Sequence, residues 1–226
     1  MQLLIDHADL EQIKAVYRLY PVDGVTTNPS ILAKAGRPPY EVLRQIRAFI
    51  GEEAALHVQA VSSCWEDMVE EGRKIVSLLG KNTYIKIPAI PEGLKAIRQL
   101  TAEGYFVTAT AIYTPMQAYL AAKAGAHYVA PYVNRIDNLG GDGVETVKTI
   151  QNILENNGFA TQILAASFKN THQVQALCEY GVGASTVAPD VIVGFLKNDS
   201  VSAAVNAFVQ DFESLCGAGK TMLNCE

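Results

Sequence analysis

The fold class this sequence predicts is a (β/α)8 barrel, a TIM barrel, with one extra helix at its C-terminal end, and three observations carry that expectation. Eight short runs rich in β-branched residues alternate with amphipathic stretches along nearly the whole chain, the pattern of a parallel sheet built from strand–helix units. Eight such units leave little of the 226 residues for a second domain. Closing the sheet on itself satisfies every strand edge, which favours a barrel over an open doubly wound sheet.

The runs follow in order. L-L-I-D-H (3 to 7) and G-V-T-T-N-P (24 to 29) open the series, the second running into Asn28-Pro29, a turn and helix-start signal. A-L-H-V-Q-A-V (55 to 61) precedes a helical stretch in which Met68, Val69, Ile75, Val76 and Leu79 share one face and Gly80 supplies a stop. T-Y-I-K-I-P (83 to 88), F-V-T-A-T-A-I-Y (106 to 113) and H-Y-V-A-P-Y-V-N (127 to 134) come next, with Gly104, Gly125 and Gly158 closing the helices between and after them. N-L-G-G-D-G is expected to be a flexible loop before a helix capped by Asp142. T-Q-I-L-A-A-S (161 to 167) and A-S-T-V-A-P (184 to 189), separated by a helix ending at Gly181, complete the eight. A last helical pattern carries Val205, Phe208, Phe212 and Leu215 on one side, suited to cover the barrel or a neighbouring subunit. The expected plan is therefore one barrel domain over 1–226, with 200–216 as an additional C-terminal helix.

Composition narrows the partners. Hydrophobic residues make up 49% of the chain, enough for a substantial core, and 18 Lys and Arg against 23 Asp and Glu give a net charge of −5. No basic footprint points to nucleic acid or an anionic membrane, so a small molecule is the expected partner. The first residues lack a signal-peptide pattern and no run reaches membrane-spanning length, which predicts a cytoplasmic protein. The four cysteines form no C-x-x-C pair and the four histidines lack i, i+4 spacing, so neither a disulfide framework nor a metal site is expected.

Barrel enzymes build their sites at the carboxyl ends of the strands, and here those ends are polar. They present Asp6, Thr27 with Asn28, Gln59, Lys86, Thr110, Tyr132 with Asn134 and Arg135, and Ser167. Each also has a plainer use: Asp6 or Ser167 as a helix cap, Asn28 as a turn residue, Thr110 as a strand former, Gln59 and Tyr132 as satisfied core polars, Arg135 as a surface ion-pair partner. Their recurrence at equivalent places in the repeat favours a site. Lys86 is the most specific member. Both faces of a barrel strand are buried, so a mid-strand lysine either snorkels through the mouth or serves as a nucleophile. Burial disfavours the ammonium and can bring a lysine pKa from about 10.4 to about 7 to 8, where the amine can attack a ketone. The resulting iminium is an electron sink for cleaving a carbon–carbon bond. Asp6 is suited to proton transfer at the substrate hydroxyls, with Tyr132, Gln59 and Thr110 holding one water.

G-V-T-T-N-P-S (24 to 30), I-K-I-P (85 to 88), A-P-Y-V-N-R-I-D (130 to 137) and A-A-S-F-K (165 to 169) closely resemble the small transaldolase-like family of class I aldolases. The resemblance runs from Asp6 to the final helix. It implies that Lys86 is the Schiff-base lysine, Asp6 a general acid/base and Asn28 a binder of dihydroxyacetone hydroxyls. It also implies no cofactor and a homo-oligomer, a decamer of two stacked pentamers. The activity implied is reversible cleavage of fructose 6-phosphate into dihydroxyacetone and glyceraldehyde 3-phosphate. The alternatives are transfer of dihydroxyacetone to erythrose 4-phosphate or, with no turnover, sugar-phosphate binding. Gln59 and Tyr132 resemble the aldolase members, where transaldolases commonly carry glutamate and, in many cases, phenylalanine. Transaldolases often read S-F-R where this chain has Ser167-Phe168-Lys169, so phosphate binding falls more heavily on Arg135 and Ser167.

Overall fold

The computed structural model describes residues 1–226 and divides into two compact units, Met1–Ile192 and Val193–Glu226. In the first unit, β1 (Gln2–Asp6), α1 (Leu10–Leu19), β2 (Gly24–Thr26), α2 (Pro29–Lys34), α3 (Pro39–Ile50) and β3 (Ala55–Gln59) lead the chain. Next come α4 (Trp65–Leu79), β4 (Thr83–Pro88), α5 (Pro91–Ala102), β5 (Val107–Ile112), α6 (Pro115–Lys123) and β6 (Tyr128–Pro131). The rest are α7 (Val133–Asn138), α8 (Gly143–Asn156), β7 (Gln162–Ala165), α9 (Thr171–Tyr180), β8 (Ala184–Val187) and α10 (Pro189–Gly194), which crosses the boundary between units. The eight strands are parallel, each pairs with its successor, and β1 pairs with β8 to close the barrel. All eight expected strands are present, and the fold is the expected TIM barrel.

The alternation of each strand sorts its side chains between two layers. Ile5, Val25, Leu56, Val58, Ile85, Ile87, Val107, Ala109, Val129, Ile163 and Val187 point outward and are buried under the helices. Inside the barrel, Leu4, Leu164 and Ala184 form a small apolar plug. The interior toward the carboxyl ends is polar instead, with Thr26, His57, Lys86, Thr108, Thr110 and Thr186 all buried. A buried polar layer of this kind needs internal partners, and they organise the site.

The helices begin and stop for local reasons. Asp9, Asp142 and Asn170 accept from backbone N–H groups as N-caps of α1, α8 and α9, and Thr114 with Gln117 makes a capping box on α6. Asp142 thus caps the helix expected of it. Gly93 permits the tight return from β4 into α5, since a Cβ there would lie 1.9 Å from the Pro88 carbonyl oxygen.

Every strand but β4 ends one to three residues earlier than its sequence run, and three of them show the cause. The second run stops at Thr26, because the Asn28 side chain accepts from the Ile31 N–H at 3.0 Å and starts α2. The sixth stops at Pro131, and Asn134 and Arg135 lie within α7. The seventh stops at Ala165, and Ser167 turns away with a left-handed φ of 62°. In each case a helix start or a turn competes with the sheet ladder and wins.

The second unit is built around α11 (Asp199–Cys216), close to the 200–216 expected. Asn198 caps it by accepting from the Ser200 N–H. None of its residues is buried, and Phe208 is 70% and Leu215 82% exposed. No helix of the protein is long and apolar enough to cross a membrane.

Candidate active site

The site is organised by β2. Thr26 Oγ1 donates to Asp6 Oδ1 at 2.7 Å and lies 2.6 Å from Thr186 Oγ1, tying β1, β2 and β8 together across the interior. One residue further on, the Thr27 carbonyl accepts from Lys86 Nζ at 2.8 Å. The last residue of β2 and the one that follows it therefore hold the carboxylate and the amine. The Thr27 hydroxyl donates to the His57 carbonyl, which leaves its backbone oxygen as the group that meets Lys86.

Lys86 is 4% exposed and is the only lysine of the chain that is buried. Burial lowers its pKa and the Arg135 charge adds to the effect, while Asp6 opposes both. Asp6 responds in the opposite sense. Burial raises its carboxyl against the pull of Lys86, the Thr26 hydrogen bond, His7 and Arg135. Both shifts run toward the uncharged forms, as burial of a facing amine and carboxyl in one interior requires. A cavity of ≈ 640 Å³ opens beside Asp6, lined also by His7, Gln12, Lys34 and Asp190.

On the other side of the mouth, Tyr132 lies just past β6, and its hydroxyl is 2.8 Å from Thr110 Oγ1. The Arg135 guanidinium stacks over the Tyr132 ring at 4.6 Å, and Tyr113 meets that ring edge-on at 5.6 Å. Arg135 also donates to the Tyr113 hydroxyl at 3.4 Å. Two non-glycine residues with left-handed φ frame this group, Ala111 at 56° and Ser167 at 62°. Ala111 marks an irregularity between β5 and β6, and the Ser167 carbonyl accepts from the Asn134 N–H at 2.8 Å. Strained backbone on both sides of Tyr132 is the kind of feature that clusters at functional sites.

Gln59 is the register partner of Lys86, on the neighbouring strand. It also lines a separate cavity of ≈ 750 Å³, mostly apolar, between α2, α3 and α4 outside the barrel. The Lys169 side chain is exposed, and its backbone N–H donates to Gln173 Oε1 at 2.8 Å. The Asn28 side-chain oxygen is used as a cap, which leaves its amide NH2 for a ligand. Sequence reasoning did not single out Thr26, Thr186 or Tyr113. The alternation of β2 and β8 offered a signal for the first two, since a threonine two residues from an apolar or glycine inward position also points inward. No three His, Cys, Asp or Glu side chains gather where they could hold a metal ion.

A parallel barrel with its titratable and polar groups gathered at the carboxyl mouth has the architecture of barrel enzymes. More narrowly, the chain belongs to the transaldolase/fructose-6-phosphate aldolase family, whose model matches residues 3–222. A curated relative from Thermodesulfovibrio yellowstonii, a probable transaldolase, is 38% identical over 215 residues, covering 95% of this chain and 99% of its own. Among solved structures, one described as a native KDPGal structure overlaps with a TM-score of 0.58 and 16% identity over 84% of each chain, a likeness of fold.

Proposed function

We propose that the protein is a Schiff-base aldolase that reversibly cleaves fructose 6-phosphate into dihydroxyacetone and glyceraldehyde 3-phosphate. The observation that carries the reading is Lys86, the one buried lysine, which sits inside the barrel with its amine near Asp6 in charge terms and bonded only to a backbone carbonyl. Neutral Lys86 adds to the C2 carbonyl, and loss of water leaves an iminium. Asp6 takes the proton of the C4 hydroxyl, the C3–C4 bond breaks, and its electrons enter the iminium to form an enamine as the aldehyde departs. A water held between Tyr132, Thr110 and Gln59 relays that proton from Asp6 to the enamine carbon, giving the iminium of dihydroxyacetone and returning Asp6 to its carboxylate. A second water hydrolyses the iminium, releasing dihydroxyacetone and restoring the amine. Asn28, with its free amide, suits the donor hydroxyls, and Arg135 with Ser167 suits the phosphate.

Borohydride added with dihydroxyacetone is expected to inactivate the protein irreversibly and to place the reduced adduct on Lys86 by peptide mass analysis. An adduct on Lys81 or Lys95 contradicts the assignment. Lys86→Arg is expected to abolish turnover, because a guanidinium does not deprotonate usefully near neutral pH.

A second reading, transfer of the same three-carbon unit to erythrose 4-phosphate, is favoured by the 38% identical relative described as a probable transaldolase. The two share every step up to the enamine. Steady release of glyceraldehyde 3-phosphate without an acceptor supports the aldolase, whereas a stoichiometric burst that needs an acceptor to continue supports the transaldolase.

A further inference from the structure

The mechanism above leaves one buried polar pair unused. His57 is 1% exposed and Thr108 fully buried, and His57 Nδ1 lies 2.9 Å from Thr108 Oγ1. The two residues belong to β3 and β5, the neighbours of β4 on either side. His57 is the register partner of Tyr84, and Thr108 is the register partner of Lys86. Tyr84 and Lys86 are successive inward side chains of β4, so the bond between His57 and Thr108 crosses the inner face of that strand between them. The imidazole is fixed from below as well, stacked on the Tyr84 ring at 4.5 Å and 8° and met edge-on by Tyr128 at 5.7 Å.

We propose that His57 and Thr108 form a rigid floor under Lys86 and act as positioning residues, holding the lysine stem so that its amine stands at the height of the Thr27 carbonyl and the substrate ketone. This rests on the aldolase reading above. The floor works because it is uncharged. The titratable groups around His57 are Lys86, Tyr84 and Tyr128, with no carboxylate hydrogen-bonded to the ring. Burial and the Lys86 charge hold the imidazole well below its ordinary pKa. A charged imidazolium there would repel the lysine ammonium, whereas a neutral ring with its Nδ1 engaged adds bulk without charge. A purely apolar floor would fill the same space, but it would lack the directional bond that stops the ring from rotating.

The readout is the rate at which borohydride with dihydroxyacetone labels Lys86, followed across pH. Thr108→Val cuts the bond at nearly constant volume, and His57→Phe cuts the same bond while keeping a ring to stack on Tyr84. Each is expected to slow labelling about tenfold or more, since misplacing a reacting group by about an ångström commonly costs 10²-fold. The double variant is expected to be no slower than either single one, because one bond is lost in all three. Thr108→Ser keeps the hydroxyl and is expected to recover most of the rate. The pH of half-maximal labelling is expected to stay in place throughout. Equal labelling rates in all variants, or a serine variant as slow as the valine one, overturn the floor while leaving the aldolase intact. A half-maximal pH that moves with the variant also overturns it, by making His57 a proton-exchanging group. No adduct in the unaltered protein overturns the aldolase reading and the floor with it. If Thr108→Val does not fold, His57→Phe measured against the unaltered protein decides the same question.

Discussion

Replacing Tyr132 with phenylalanine removes one hydroxyl and leaves the ring that Arg135 stacks on at 4.6 Å, so the substitution isolates the polar role of the residue. Its hydroxyl is the side-chain partner of Thr110, which is fully buried and lies 2.8 Å away. Loss of that partner orphans the Thr110 hydroxyl, and an unsatisfied buried group of this kind costs about 1–3 kcal/mol. Tyr132 itself is only half-buried, so water can reach the vacated position, and the lower part of the range applies. For a chain of this length about 1 kcal/mol corresponds to roughly 2–4 °C in melting temperature. Tyr132→Phe is therefore expected to melt a few degrees lower, and adding Thr110→Val is expected to restore part of the loss because both partners are then apolar. Kinetically, removing one positioned acid/base group commonly costs about 10²-fold. That loss is expected in acceptor-free release of glyceraldehyde 3-phosphate from fructose 6-phosphate, measured with a coupled dehydrogenase. Transfer to erythrose 4-phosphate, which does not need the enamine protonated, is expected to fall less. Equal losses in the two assays, or a melting curve identical to that of the parent, would refute the reasoning.

Asp6→Asn is expected to end turnover and to raise the melting temperature at neutral pH, because burial raises the Asp6 carboxyl and so penalises its ionised form. The unfolded chain releases that proton at lower pH than the folded one, so the parent loses stability as pH climbs from about 4 through the folded value. The gap between variant and parent should open over that interval and then hold, and a gap that closes with rising pH contradicts the assignment. Gly93→Ala places a Cβ 1.9 Å from the Pro88 carbonyl oxygen and is expected to lower stability by about 3 kcal/mol or more in urea unfolding, with the β4 end displaced. Dialysis against a chelator is expected to leave activity unchanged, since no group of ligating side chains gathers as a metal site, and a loss restored by zinc would argue for a metal-dependent aldolase.

The barrel was legible in the sequence because its causes are local and repeated. Period-2 runs recur eight times with amphipathic helices between them, several closed by glycine, and all eight strands and the helix at Asp199–Cys216 stand close to where that pattern puts them. Lys86 was legible for the same reason, a charge between two isoleucines that a doubly buried strand must either expose or use. Strand ends were less so, since Asn28, Val133 and Ser167 each face a choice between ladder and turn: a side-chain bond decides it at Asn28, α7 starts without a side-chain cap at Val133, and Ser167 leaves the ladder on a left-handed φ. What only the tertiary structure decided was partnership. Closing the sheet brings Thr186 beside Thr26, 160 positions apart, and thereby fixes Asp6. It sets Arg135 on the Tyr132 ring and His57 against Thr108 across the intervening strand. Sequence patterns record which face a residue takes along its own strand, whereas the height at which residues of different strands meet is set by register around the barrel, a non-local property of the closed sheet.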